Sequence, residues 1–445
     1  IETSQGGSIA GAFSPCGRFI LTAINSPTAK IRELATKKVF NLTSRKTDIV
    51  HSAVFSPCGK YVLIKSANRR KINIFEMKSG KPISEFEGSS HSFEVDNFSP
   101  DSNYIVIGQN QNAKLLETIS GNTVKKFRSH TDIVSKTIFS PCGKYILTAS
   151  YDKTAIVWDV KTKNIFQIFK GHAHRIFGAE FSPCGRYIVT CSQDKTSKLW
   201  EISSGKCKRT FYHHQHSGES ARFSPCGEYI LILTFAGMIK IINIKTGIEN
   251  NEFKNVKYRV SSAVFSPNGK YILIIPSSKN IANLLYFESG ELVKTIGKHS
   301  KAIRSATFSK CGKYIVTGGC DHLAQIWGVE SGLHLGSLLN LEKGFLWTTP
   351  PDIIAPYGWF WTDRPDLINV TKKYEDGSGA EVLINKNPEK AAYIDVYNRQ
   401  DMVINRINNY ENYERELERL QDKIRWNRLD NYINIKTDFK KKITL

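Results

Sequence analysis

No run of apolar residues in this chain reaches the roughly 18 that a membrane-spanning helix needs, so no such helix is expected from the sequence. The phosphate-cradling G-x-x-x-x-G-K-[ST] loop, the G-x-S-x-G nucleophile turn and the H-E-x-x-H zinc motif are also missing. Their absence leaves no sequence ground for an enzyme or a bound cofactor. Nothing like a signal peptide follows Ile1, so a cytoplasmic location is expected unless a trimmed start hides a removed segment. Acidic residues are scarce, 41 against 62 basic ones, and the net charge is +21.

What the chain does have is repetition. Phe13-Ser-Pro-Cys-Gly17 recurs from Phe55, Phe139, Phe181 and Phe223, and variants start at Phe98, Phe265 and Phe308, every 41 to 43 residues. A period of that length belongs to a radial array of four-stranded units. In the clearest unit, strands are expected over 133–139, 144–150, 154–160 and 164–169, with Ser140-Pro-Cys-Gly143 and Tyr151-Asp-Lys153 as turns. One such blade cannot bury both faces alone, so the ring must assemble to be stable. Six of the nine cysteines, Cys16, Cys58, Cys142, Cys184, Cys226 and Cys311, share one slot of the repeated turn. Placed on different blades, they are expected too far apart for disulfides or shared metal ligation, and so to be free thiols. Asp101 and Asn268 fill the same slot elsewhere, which reads as a place for a small turn former rather than for sulfur chemistry.

At these residues the chain resembles the WD-repeat β-propeller family, over roughly 6–339. His172, Ser192, Asp194 and Trp200 match the family's hydrogen-bonded set, and His130, Ser150, Asp152 and Trp158 repeat it one unit earlier. The last repeat keeps His299, Asp321 and Trp327 but has Gly319 at the hydroxyl position. Units 1, 2, 3, 6 and 7 have largely lost the set, with Ile242 in the tryptophan position of the sixth. The resemblance implies a structural role for these histidines and for His214. Alternation along a strand would let His172 and His174, or His214 and His216, share a face, but no cysteine or carboxylate cluster completes a metal site, and none is expected.

Too few residues precede Phe13 to lend an outer strand to the last unit, so that unit must use its own, near 333–339. The fold expected is an all-β propeller of eight four-stranded blades, rather than seven, over 1–339. Residues 340–398 follow as an aromatic, proline-rich segment with short strands at 367–370 and 381–384, and 399–445 as a long helix and basic tail, making a small α+β module. Val403, Ile407, Tyr410, Tyr413, Leu417, Leu420 and Ile424 recur at helical spacing. That helix, over 401–431, either packs on its own protein or pairs with a partner or a second copy. The C-terminal segment is expected to buttress blades 1 and 8 at the ring's closure. Asp352 and the Asp363-Arg364 pair read as structural acids rather than catalytic ones.

The two parts differ in charge: residues 340–445 carry 17 basic and 17 acidic side chains, and residues 1–339 carry 45 and 24. Arg18, Lys60, Lys144, Arg186, Lys270 and Lys313 follow the repeated turns, and a basic rim attracts acidic protein, nucleic acid or anionic membrane. Family propellers bind partners across the opposite face, where the loops leading into each blade converge. Four residues before each repeat phenylalanine stand His51, Glu94, Ser135, Phe177, Glu219, Ser261 and Arg304, with Arg69, Arg70 and Arg175 nearby. Aromatic and guanidinium groups of this kind are enriched at binding hot spots. The function expected is a non-catalytic scaffold that binds a protein partner within a multiprotein assembly. The alternatives are a sensor or regulatory module of a larger signalling or defence assembly, and an electrostatic binder of nucleic acid or anionic membrane.

Overall fold

The computed structural model describes most of residues 10–341, the longest break there being 88–97, and five further strand segments, 344–348, 360–362, 368–372, 433–437 and 443–444. Among the described residues there is no α-helix. The strands form an eight-bladed β-propeller with about forty residues per blade. Blade 1 is Ala10–Phe13, Phe19–Ala23, Thr28–Glu33 and Val39–Thr43, paired in chain order. Blade 4 is Val134–Phe139, Tyr145–Ser150, Thr154–Asp159 and Ile165–Lys170. These ranges match the strands read from its sequence to within a residue or two.

The turn chemistry explains why the phrase repeats. In blade 4 the Gly143 N–H donates to the Ser140 carbonyl at 2.9 Å, with Gly143 at φ +72°, where a side chain would be strained. The Tyr145 N–H donates to Ser140 Oγ at 3.0 Å, so one serine closes the hairpin twice. A Cβ added to Gly143 would lie 3.4 Å from Pro100 Cδ, and Gly227, Gly269 and Gly312 face the proline of the preceding blade in the same way. The turns therefore nest one on the next.

Apolar runs such as Tyr145-Ile-Leu-Thr-Ala-Ser150 are buried on both faces because neighbouring blades sandwich them. Full burial of each such aliphatic side chain is worth about 1.5–3 kcal/mol. Blade 1 supplies its own first strand, which packs against Ile303–Phe308 and Tyr314–Gly319 of blade 8, with the Phe13 and Tyr314 rings 6.2 Å apart. Among the described strands none is exchanged at this closure: Phe13 pairs with Ile20 of its own blade.

Two compact units divide the chain, 1–321 and 322–445. The second carries Leu323–Gly328 and His334–Leu341, the third and outer strands of blade 8. Gly344–Thr348 and Phe360–Thr362 then extend the same sheet outward, setting Trp347 opposite Leu338 and opposite Trp361. The aromatic, proline-rich segment thus enters the structure as edge strands of blade 8. Ile368–Lys372 pairs with Ile433–Thr437, inside the stretch expected to be a basic tail, and that strand pairs with Ile443–Thr444. The expected partner strand at 381–384 and the helix at 401–431 lie outside the described residues.

Candidate functional site at the channel mouth

Each described first strand from blade 4 to blade 8 carries a β-bulge at the same place. The register skips Ser135, Phe177, Glu219, Ser261 and Arg304, and in blade 2 it skips His51. These are the residues that counting back from the repeat phenylalanine selects. A bulge gives the strand one residue more than its partner and re-aims that side chain. Ser135, Phe177, Glu219 and Ser261 come together around a recess of about 380 Å³ built from blades 4 to 7. Arg304 is not part of it; its Nε donates to Cys320 Sγ at 3.1 Å. Arg69, Arg70, Glu94 and the side chain of His51 lie outside the described residues.

An aromatic cluster forms the lip. Phe177 meets Tyr151 edge-on at 5.5 Å and Phe235 at 4.8 Å, and the Arg175 guanidinium lies 5.0 Å from the Tyr151 ring centre. Phe235 is 45% exposed although it is large and apolar. Arg259, one repeat period times two beyond Arg175, donates from Nη2 to the Phe235 carbonyl at 2.7 Å. Burial pushes the Glu219 carboxyl above its ordinary range, and the charge of Arg259 only partly offsets this.

In the lining of the same recess, burial and the neighbouring Arg222 guanidinium push the Lys136 ammonium down to about 7, against the opposing pull of Glu180. Lys136 nevertheless keeps partial exposure, toward the recess it lines. Glu180 Oε2 accepts the Phe223 N–H at 2.6 Å, which ties blade 5 to blade 6. The first strands of those blades approach so closely that a Cβ on Gly178 would sit 3.1 Å from Ser220 Cα. Tyr151, Phe235, Arg259, Lys136 and Arg222 were not singled out in the sequence. Tyr151 and Phe235 share a findable position, the first residue after the second strand, whose N–H pairs with the incoming loop of the same blade.

The histidines are hydrogen-bonded into a buried network that differs in one member from the expectation. His130 Nδ1 lies 2.8 Å from Asp152 Oδ2, His130 Nε2 lies 2.8 Å from Thr148 Oγ1, and the Trp158 indole N–H donates to Thr148 Oγ1 at 2.9 Å. The bridging hydroxyl is Thr148, not Ser150. Ser150 Oγ instead donates to the Asp132 carbonyl and accepts the Asp152 N–H, holding the aspartate's turn. Blade 5 repeats this with His172, Asp194, Thr190 and Trp200, and Ser192 at the turn. Blade 8 keeps the histidine bridge through Thr317, 2.9 Å from His299 Nε2, so Gly319 does not break it. Burial alone would raise the Asp152 and Asp194 carboxyls, but hydrogen bonds from the histidines and from Thr154 and Thr196 more than offset it. Both are held well below the usual carboxylate range. His214 lies outside the described residues; next to it His213 is buried, its N–H donating to the Lys195 carbonyl.

Among the described residues no group of three or more His, Cys, Asp or Glu side chains is placed to hold a metal ion, and no helix is long and apolar enough to cross a membrane. The WD domain, G-beta repeat family matches residues 121–159, 163–201 and 290–328. Over 160 residues the chain is 26% identical to the Arabidopsis thaliana transcriptional corepressor LEUNIG_HOMOLOG, covering 36% of this chain and 20% of the relative. Over 161 residues it is 26% identical to transcription initiation factor TFIID subunit 5 of Caenorhabditis elegans, covering 36% and 24%. Over 164 residues it is 27% identical to human apoptotic protease-activating factor 1, covering 34% and 13%. The chain thus spans a quarter or less of the length of these relatives. Three repeats of this chain thus match the WD repeat in sequence, and they sit within an eight-bladed β-propeller.

Proposed function

We propose that this propeller is a non-catalytic interaction platform whose recess at the blade 4–7 channel mouth receives a segment of a protein partner. One observation carries the reading. Bulged first strands and second-strand ends from separate blades place Tyr151, Phe177 and Phe235 on one lip with Arg175, beside the half-buried Glu219. Exposed aromatic and guanidinium groups around a desolvated carboxylate are the composition of a binding hot spot. One relative is named as a subunit of TFIID, which supports a partner within a complex.

A second reading, a sensing or regulatory module within a larger assembly, draws support from the match to a protein named as a protease-activating factor. Quantitative affinity purification tests the site. Proteins retained by the parent chain are expected to drop at least about tenfold with Phe177→Ala or Arg175→Ala, a loss of hot-spot size. They should persist with Lys245→Ala, whose side chain pairs with Glu228 outside the recess. Retention unchanged by both recess variants would remove this surface as the docking site.

A further inference from the structure

Six of the eight repeated turns end in an exposed cysteine, and all nine cysteines are free. The slot they fill is built for a hydrogen-bond acceptor. In blade 3 it holds Asp101, whose carboxylate accepts Ser99 Oγ–H and the Asn103 N–H, the latter at 3.0 Å. In blade 7 it holds Asn268, accepting Ser266 Oγ–H at 2.7 Å and the Lys270 N–H at 3.1 Å. The sulfurs stand in the same place: Ser14, Ser56, Ser140, Ser182, Ser224 and Ser309 each set Oγ 3.2–3.4 Å from the Sγ two residues on. A basic residue follows all but one of these turns, at Arg18, Lys60, Lys144, Arg186 and Lys313; Glu228 follows Cys226.

The turns also share a location. Pro57, Pro100, Pro141, Pro183 and Pro225, from five successive turns, line a second recess of about 690 Å³, and the residue after each of the four prolines other than Pro100 is a cysteine.

We propose that these six turn cysteines are modification sites for small-molecule disulfides of the glutathione type, four of them next to prolines that line that recess. A turn thiolate attacks one sulfur of R–S–S–R. The protein–S–S–R bond forms, the original S–S bond breaks, and R–S⁻ leaves with the electron pair, so the added disulfide is the oxidant and the balance is complete. A slot that stabilises the carboxylate of Asp101 also stabilises a thiolate. Although burial acts against the charge at Cys58, Cys142, Cys184 and Cys311, the serine hydroxyls, the N–H two residues on and the adjacent cations lower these thiols below their ordinary value. The small-turn-former reading of the slot accounts for its size but not for its repeated acceptor role.

The chain contains its own references. Cys207 is exposed but lies outside the slot, and burial pushes the Cys191 thiol up to about 12. The intact native protein is treated with glutathione disulfide at pH 7, and adducts are followed by peptide mass mapping. Adducts on Cys58, Cys142, Cys184 and Cys311 are expected on the order of threefold or more faster than on Cys207, since part of the gain in thiolate fraction is returned as lower nucleophilicity. Cys191 stays unmodified, which reports that the blades remain folded. Ser140→Ala slows the adduct at Cys142 while leaving Cys311 at its parent rate. Cys142→Asp, which installs the blade 3 residue, keeps Cys191 protected and removes that adduct alone. Equal or faster reaction at Cys207, or a Cys142 rate indifferent to Ser140→Ala, would overturn the proposal.

Discussion

Asp152 shows how much one side chain carries. Its carboxylate takes hydrogen bonds from His130, from the Thr131 N–H and from Thr154. With a neutral imidazole the chain runs from Trp158 N–H to Thr148, from Thr148 O–H to His130 Nε2, and from His130 Nδ1–H to Asp152. Because the folded-state pKa is depressed, its stabilisation is complete above the unfolded value of about 3.9 and is lost as pH falls below it toward the folded value. Asp152→Asn is expected to cost about 1–3 kcal/mol at neutral pH, and its Tm should fall less steeply than the parent's below about pH 4. A parent-like slope in thermal melts would show that the carboxylate is not coupled to folding. The sequence displayed the histidine, aspartate and tryptophan of this network because their spacing is fixed by turns. It did not separate Thr148 from Ser150, since both are hydroxyls on one strand two residues apart; only the cross-strand register, with Ile146 opposite Trp158, decides which one faces the indole.

Across the blades, that register exposes a rule at the level of the element. Where the second strand keeps a threonine at the Thr148 position, the third strand supplies a donor to its hydroxyl: Arg32 Nη1 to Thr22, and the Trp158 and Trp200 indole N–H groups to Thr148 and Thr190. Where it has isoleucine, as Ile64, Ile107, Ile232 and Ile274, the register puts Phe75, Leu116, Ile242 or Leu285 in the place of Trp158. A half-satisfied network is worse than none, so the two positions change together. Thr148→Val alone leaves the Trp158 N–H and His130 Nε2 short of a partner and is expected to destabilise by about 1–3 kcal/mol. Adding Trp158→Leu should cost less than the sum of the singles, with a coupling of at least about 0.5 kcal/mol in a double-mutant cycle; strict additivity would contradict the rule. The bulge positions were equally legible by counting, because the repeat is constant within a residue or two. The aromatic lip was not, because Tyr151 and Phe235 follow a different strand and meet Phe177 only once the blades are side by side.

For the ring as a whole, the basic surplus is partly engaged in local contacts. Arg18 pairs with Glu33, Lys245 pairs with Glu228, and Lys144 and Lys270 lie over Tyr145 and Tyr271. Closure is the weaker design feature. Blades 5 and 6 are joined by Glu180 to the Phe223 N–H and by the tight approach at Gly178, and blades 4 and 5 by Ser135 Oγ to the Ile176 carbonyl at 2.7 Å. Blades 1 and 8 meet through contacts that include Phe13 on Tyr314, and among the described strands none crosses between them. In a repeat array, stability sums over neighbour interfaces, and opening starts most readily where the chain itself does not run from one blade to the next, as between blades 8 and 1. Native-state hydrogen exchange should therefore show the backbone amides of Phe19–Ala23 and Tyr314–Gly319 exchanging at least about tenfold faster than those of Tyr187–Ser192, a difference of about 1.4 kcal/mol in opening free energy. A disulfide engineered across the blade 1–blade 8 contact should remove that difference and raise Tm. Equal protection in blades 1, 5 and 8 of the parent chain would mean that the closure holds this ring as firmly as the joints through which the chain runs.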